Sequence, residues 1–149
     1  MAAPAGLEPG LTGLEQLRKW IAEGRQPAIG DTMQFSLVEV DEGRVVFAGI
    51  PGAHVYNPIG SVHGGYAAAL LDSACGCAVH SRLSATQAYT TLELKVAYHR
   101  ALKADTGLVR AEGFVISMGR RAAFAEAKLT DANGRLYASA SSSLLVMDL

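Results

Sequence analysis

A surplus of charge of either sign, a usable set of cysteines and a long apolar run are all missing from this chain. Lys and Arg number 13 against 14 Asp and Glu, for a formal net charge of -1. A phosphate-binding face usually needs a basic excess, so neither nucleic acid nor an anionic membrane is expected as the main partner. The two cysteines, Cys75 and Cys77, are two positions apart. On a helix such neighbours point to different sides, so an intrachain disulfide is not expected, and both read as free and buried. Zinc would need further ligands at finger-like spacing, and none is present, so no metal is expected. The longest apolar runs fall far short of a membrane span. Residues 1 to 10 have neither the basic start nor the apolar stretch of a signal peptide. These absences together lead us to expect a soluble, cytoplasmic protein.

What is present fits one domain. The chain has 149 residues, half of them hydrophobic and 18% charged, which is enough to bury a core. We read 1–149 as a single unit, with 1–10 as a loose tail. Over 12–24, Leu14, Leu17, Trp20 and Ile21 recur at helical spacing, and Thr12 with Glu15 forms a capping-box pattern. Gly24 ends that helix, and "QPAIG" breaks the chain before the sheet. Two strands fill 33–50, turned by "DEG", with Phe35, Leu37 and Glu39 expected on one face. A long helix covers about 63–83. Strands follow over 88–99, 106–117, 120–130 and 135–147, and the last two are divided by "DANG". The order α-β-β-α-β-β-β-β predicts an α+β layer, five or six antiparallel strands wrapped around one long helix.

That helix carries the anomaly. It starts on Gly64 and Gly65, is apolar on nearly every side, and contains one acid, Asp72. A buried carboxylate is costly unless it has a partner or a task. Backbone N–H groups in a first helical turn lack intrahelical acceptors and sit at the positive end of the dipole. Two residues without side chains leave those N–H groups open to an oxygen that gains negative charge. A Gly-rich turn made for packing is the plainer alternative. Gly65 and Asp72 are seven positions apart, roughly 10 Å along a helix at 1.5 Å per residue. One carbonyl cannot touch both on the same helix. Two helices running antiparallel across a two-fold axis would bring Asp72 of one chain to the N-terminus of the other, so this reading predicts a homodimer.

The pattern N-x-x-G-x-x-H-G-G with an acid nine positions after the His is filled by Asn57, Gly60, His63, Gly64, Gly65 and Asp72. With "TTLELKVAYHRAL" after it, the chain resembles the hot-dog acyl-CoA thioesterases of the phenylacetic-acid-degradation and 4-hydroxybenzoyl-CoA thioesterase type, from about residue 30 to 147. The proline that usually follows the aromatic residue and Arg is replaced by Ala101. The resemblance implies a hot-dog fold and hydrolysis of an acyl-CoA, with aryl or medium-chain acyl groups expected. Coenzyme A is then part of the substrate, and no further cofactor is implied. The Gly65 N–H would polarise the carbonyl, and Asn57 would bind it or orient water. Asp72 of the partner would act as base or nucleophile. Thr91, or Thr90 if the alignment slips by one, would hold the water, and His63 would position the loop or hydrogen-bond near the carbonyl. Gly64 and Tyr66 would line the substrate passage, and Arg120 and Arg121 would meet the nucleotide. Dimers of this kind often pair again, so the resemblance leaves a dimer and a dimer of dimers both open. A hot-dog hydratase or dehydratase and a non-catalytic acyl-CoA binding module are the competing readings.

Overall fold

The computed structural model describes residues 6–149. Its first helix, α1 (Gly13–Glu23), has the expected capping box. The Thr12 N–H donates to Glu15 Oε2 at 2.9 Å, and the Glu15 N–H donates to Thr12 Oγ1 at 3.2 Å. The expected tail over 1–10 falls partly outside the described residues. Within them, Leu7 packs on the core, and Glu8 is tied to α1 by its N–H on Gln16 Oε1 (2.6 Å) and by a 2.7 Å ion pair with Lys19. The segment read as a break holds a short helix, α2 (Ala28–Met33). It begins after Pro27 and ends on Gln34 in the left-handed conformation (φ 60°), a stop that carries no glycine signal.

One sheet follows, with β1 (Phe35–Asp41), β2 (Arg44–Gly49), β3 (Gln87–Tyr98), β4 (Val109–Met118), β5 (Ala122–Asp131) and β6 (Leu136–Asp148). All six are antiparallel in the order β1-β2-β4-β5-β6-β3. The turns expected at "DEG" and "DANG" are there, with Gly43 and Gly134 both at positive φ. The expectation for Glu39 needs correction. A bulge between Leu37 and Glu39 shifts the alternation, so Phe35 and Leu37 are buried while Glu39 pairs with Arg44 and Arg110 at the surface.

The long helix, α3 (Gly64–His80), links β2 to β3. Those strands lie on opposite sides of the sheet, so α3 crosses its inner face. That face is built of small residues. Ala111, Ala123, Ala125, Ala127, Ala138 and Ala140 are buried, and at Gly113 a Cβ would collide with the Ala74 carbonyl oxygen. The helix therefore lies close to the sheet along most of its length, and the "YASASSS" strand contributes Ala138, Ala140 and Ser142 to the contact.

Candidate active site

The loop before α3 is organised by Asn57. Its Oδ1 accepts from the N–H groups of Ile59 and Ser61, both at 3.1 Å, and its Nδ2 donates to Ser61 Oγ at 3.0 Å. The loop is anchored where the Val62 N–H donates to Leu102 O (2.9 Å) and the His63 N–H donates to Val55 O (2.7 Å). Asn57 thus commits its amide oxygen and one amide N–H to the turn that delivers His63 to the helix start, and its second N–H has no partner among the described residues.

His63 is the N-cap of α3. Its Nδ1 accepts from the Gly65 N–H at 2.8 Å, which requires a lone pair on that nitrogen. The Gly65 N–H, expected to polarise the carbonyl, is thus already engaged within the chain. Among the described residues the Gly64 N–H has no acceptor, so it is the open donor at the positive end of the helix. The Gly64 carbonyl accepts from Tyr98 Oη at 2.7 Å. Tyr98 closes β3 and was given no role from the sequence beyond its match to an aromatic position.

Asp72 is the sole carboxylate of α3 and is half-buried. At about 100° per residue, Gly65, Ala69, Asp72 and Gly76 share one stripe of the helix. Two contacts show that the stripe faces β3. Thr91 Oγ1 donates to Asp72 Oδ1 at 2.9 Å, and the Tyr89 ring fills the space beside Gly76. This geometry decides between the two threonines. Thr91 holds the acid, while Thr90 is exposed at the neighbouring position, whose alternation turns it to the other face. No cation pairs with Asp72 among the described residues.

Beside Gly64 lies a cavity of about 400 Å³. Val62, Ala67, Leu102 and Ala138 form its apolar floor, with Tyr98 and His99 at its wall. Tyr66 does not line it, which corrects that expectation. Its ring is buried against Phe35 and its hydroxyl lies toward Gly49, where burial pushes its pKa up to about 12. Arg120 and Arg121 stand elsewhere, at the β4–β5 turn, in a concavity shared with Gln87 and Met147. Gln87 and Tyr98 are the two ends of β3. Eleven residue steps of strand separate them, roughly 36 Å at 3.3 Å per residue, so neither arginine reaches the cavity beside Gly64 of its own chain.

Cys75 and Cys77 are unbridged, and burial pushes both thiols up to about 12, which leaves no thiolate nucleophile. Among the described residues no group of three or more His, Cys, Asp or Glu could hold a metal ion, and no helix is long and apolar enough to cross a membrane.

One antiparallel sheet wrapped around a central helix is the hot-dog fold. The chain belongs to the thioesterase superfamily, whose model matches residues 59–138, and its chemistry is thioester hydrolysis. A phenylacetic acid degradation-related protein of Ralstonia eutropha is 26% identical, with a TM-score of 0.77 over 91% of this chain and 99% of that one. A conserved protein of Pseudomonas aeruginosa is 29% identical, with a TM-score of 0.76 over 84% and 98% of the two chains. A thioesterase family protein of Silicibacter pomeroyi shares the fold at 24% identity, with a TM-score of 0.78 over 89% and 96%. No curated protein sequence matches the chain.

Proposed function

We propose that the protein hydrolyses a small aryl- or medium-chain acyl-CoA to the free acid and CoA, working as a homodimer with its sites across the interface. The observation that carries this is Asp72. A half-buried carboxylate with no cation beside it is held instead by the neutral Thr91 hydroxyl, which leaves its second oxygen for chemistry. The thioester carbonyl would dock on the open Gly64 N–H, which stabilises the oxyanion as it forms. Asp72 of the partner would take a proton from water as the water oxygen bonds the acyl carbon. The C–S bond then breaks, and that proton passes to the departing sulfur. Direct attack by the carboxylate is the other route the same geometry permits. The reaction calls for no cofactor beyond the CoA of the substrate.

The two-chain arrangement rests on Asp72 and Gly64 being eight positions apart (72 - 64), about 12 Å of helix. It is also supported by β3, a sheet edge with Leu92 63% exposed. A second copy added antiparallel to that edge would set the Gln87 end of one strand beside the Tyr98 end of the other. Arg120 and Arg121 would then border the partner's cavity, where the CoA phosphates emerge. Phe124, 47% exposed on the outer sheet face, suits a further pairing of dimers. The unbridged thiols fit a reducing, cytoplasmic setting.

The test is thiol release from a panel of aryl and medium-chain acyl-CoAs by wild type and Asp72→Asn. We expect kcat to fall by about 10³ in the variant. Equal turnover by both would remove Asp72 from the chemistry. Tight acyl-CoA binding without thiol release would make the protein a binding module.

A further inference from the structure

Gly64 and Gly65 are conformationally permissive residues, and they stand at the first turn of α3, where an oxyanion donor has to be held still. The fold restrains them with side chains from elsewhere. The peptide unit between them is gripped at both ends. Tyr98 Oη donates to its carbonyl oxygen at 2.7 Å, and its N–H donates to His63 Nδ1 at 2.8 Å. The preceding peptide is held through the His63 carbonyl, which accepts from the Tyr66 N–H at 3.0 Å. Both peptide planes around Gly64 are therefore fixed, and the donor left open between them is the Gly64 N–H.

Burial does not explain the Tyr98 contact. The side chain is 56% exposed, and its hydroxyl could bond water at no loss. Instead it reaches back over Gly64, so closely that a Cβ there would stand 3.1 Å from the ring. The bonds also run in series, from the tyrosine hydroxyl through the amide to the imidazole. A donor on the carbonyl strengthens the N–H at the other end, so Tyr98 also steadies His63.

We infer that Tyr98 is a positioning residue for thioester hydrolysis: its hydroxyl, together with the His63 imidazole, clamps the Gly64–Gly65 peptide and so aims the Gly64 N–H at the substrate carbonyl. This rests on the reading of Gly64 as the oxyanion donor given above. Tyr98 itself touches no reacting atom, and its ring forms one wall of the adjoining cavity.

Tyr98→Phe keeps the ring and removes the hydroxyl. Steady-state hydrolysis of benzoyl-CoA and octanoyl-CoA is measured for wild type and variant. We expect kcat to drop about tenfold, with KM within about twofold and the melting temperature unchanged, because a second-layer contact supports transition-state stabilisation and leaves substrate binding alone. A second measurement reads the donor directly. Carbonyl-labelled benzoyl-CoA is bound to Asp72→Asn protein, and its C=O stretch is followed by isotope-edited infrared spectroscopy. The downshift on binding should shrink when Tyr98→Phe is added. Wild type active, with unchanged kcat and unchanged stretch in the Tyr98→Phe proteins, would overturn this inference alone. Wild type inactive on every acyl-CoA would overturn the reading of the site as well.

Discussion

At Gly64 and Gly65 the two missing side chains answer to two different rings. A Cβ on Gly64 would press on Tyr98, and one on Gly65 would stand 2.9 Å from His63 Nδ1. Packing and backbone exposure, which compete as explanations when the sequence is read alone, act together here. The glycines admit the rings, and the rings hold the two ends of the Gly64–Gly65 peptide. The motif marked this helix end, but it could not tell the bonded Gly65 N–H from the open Gly64 N–H. Which N–H is free depends on a rotamer of His63, and no spacing rule carries that. The Asp72–Thr91 contact could be read, from the family resemblance and because an acid among alanines and leucines has few structural reasons to exist. Tyr66 could not, because its position next to the glycines says nothing of its direction around the helix. His80, at the other end of α3, supports a prediction of its own. Packed beside Trp20 and Tyr89, it is held down to about 4 by burial. Its folded-state pKa lies below the ordinary value of about 6.5, so as pH falls from about 6.5 toward 4 the unfolded chain takes up a proton that the folded chain refuses. Stability should decline across that window, by on the order of 3 kcal/mol from this group. Urea unfolding at pH 7 and pH 4.5 should show the loss, and His80→Gln should show less of it.

Helix and sheet meet through small residues, and this explains which elements could be read from the sequence. The all-round apolar character of α3 gave its burial, and alternation with turn signals gave both ends of all six strands to within three residues. The bulge in β1 was missed because alternation looks the same before and after a one-residue shift. The helix α2 was missed because Pro27 and Gly30 read as breakers, while only six residues fold there. Close approach has a testable cost. At Gly113 the helix backbone occupies the place of a side chain, so Gly113→Ala must push α3 off β4. We expect a loss of about 2–3 kcal/mol or more, seen as a lower urea midpoint with the slope unchanged. Because the same movement tilts the N-terminal turn, turnover should fall too. An unaltered midpoint would mean that the helix sits higher than described.

Across the whole molecule, the sheet has two edges of unlike character. β1 carries α1 and α2 beside it, while β3 presents twelve residues of open backbone. If the site is completed by a second copy on β3, a charge in the middle of that edge should split the assembly. Leu92→Asp should shift the sedimentation profile toward monomer and remove most turnover, with the far-ultraviolet circular dichroism unchanged. A variant that stays dimeric would place the interface elsewhere. The order of the strands has a further consequence, in the timing of synthesis. Within the chain β3 pairs with β6 alone, and the Ser142 hydroxyl that donates to the Glu93 carbonyl spans 49 positions. While the ribosome adds those residues, the strand carrying Thr91 has no partner, and α3 has only half a surface to lie on. The nascent polypeptide therefore waits for its final strand before Asp72 is enclosed, and until then it exposes its most apolar helix to whatever chaperones attend the tunnel exit.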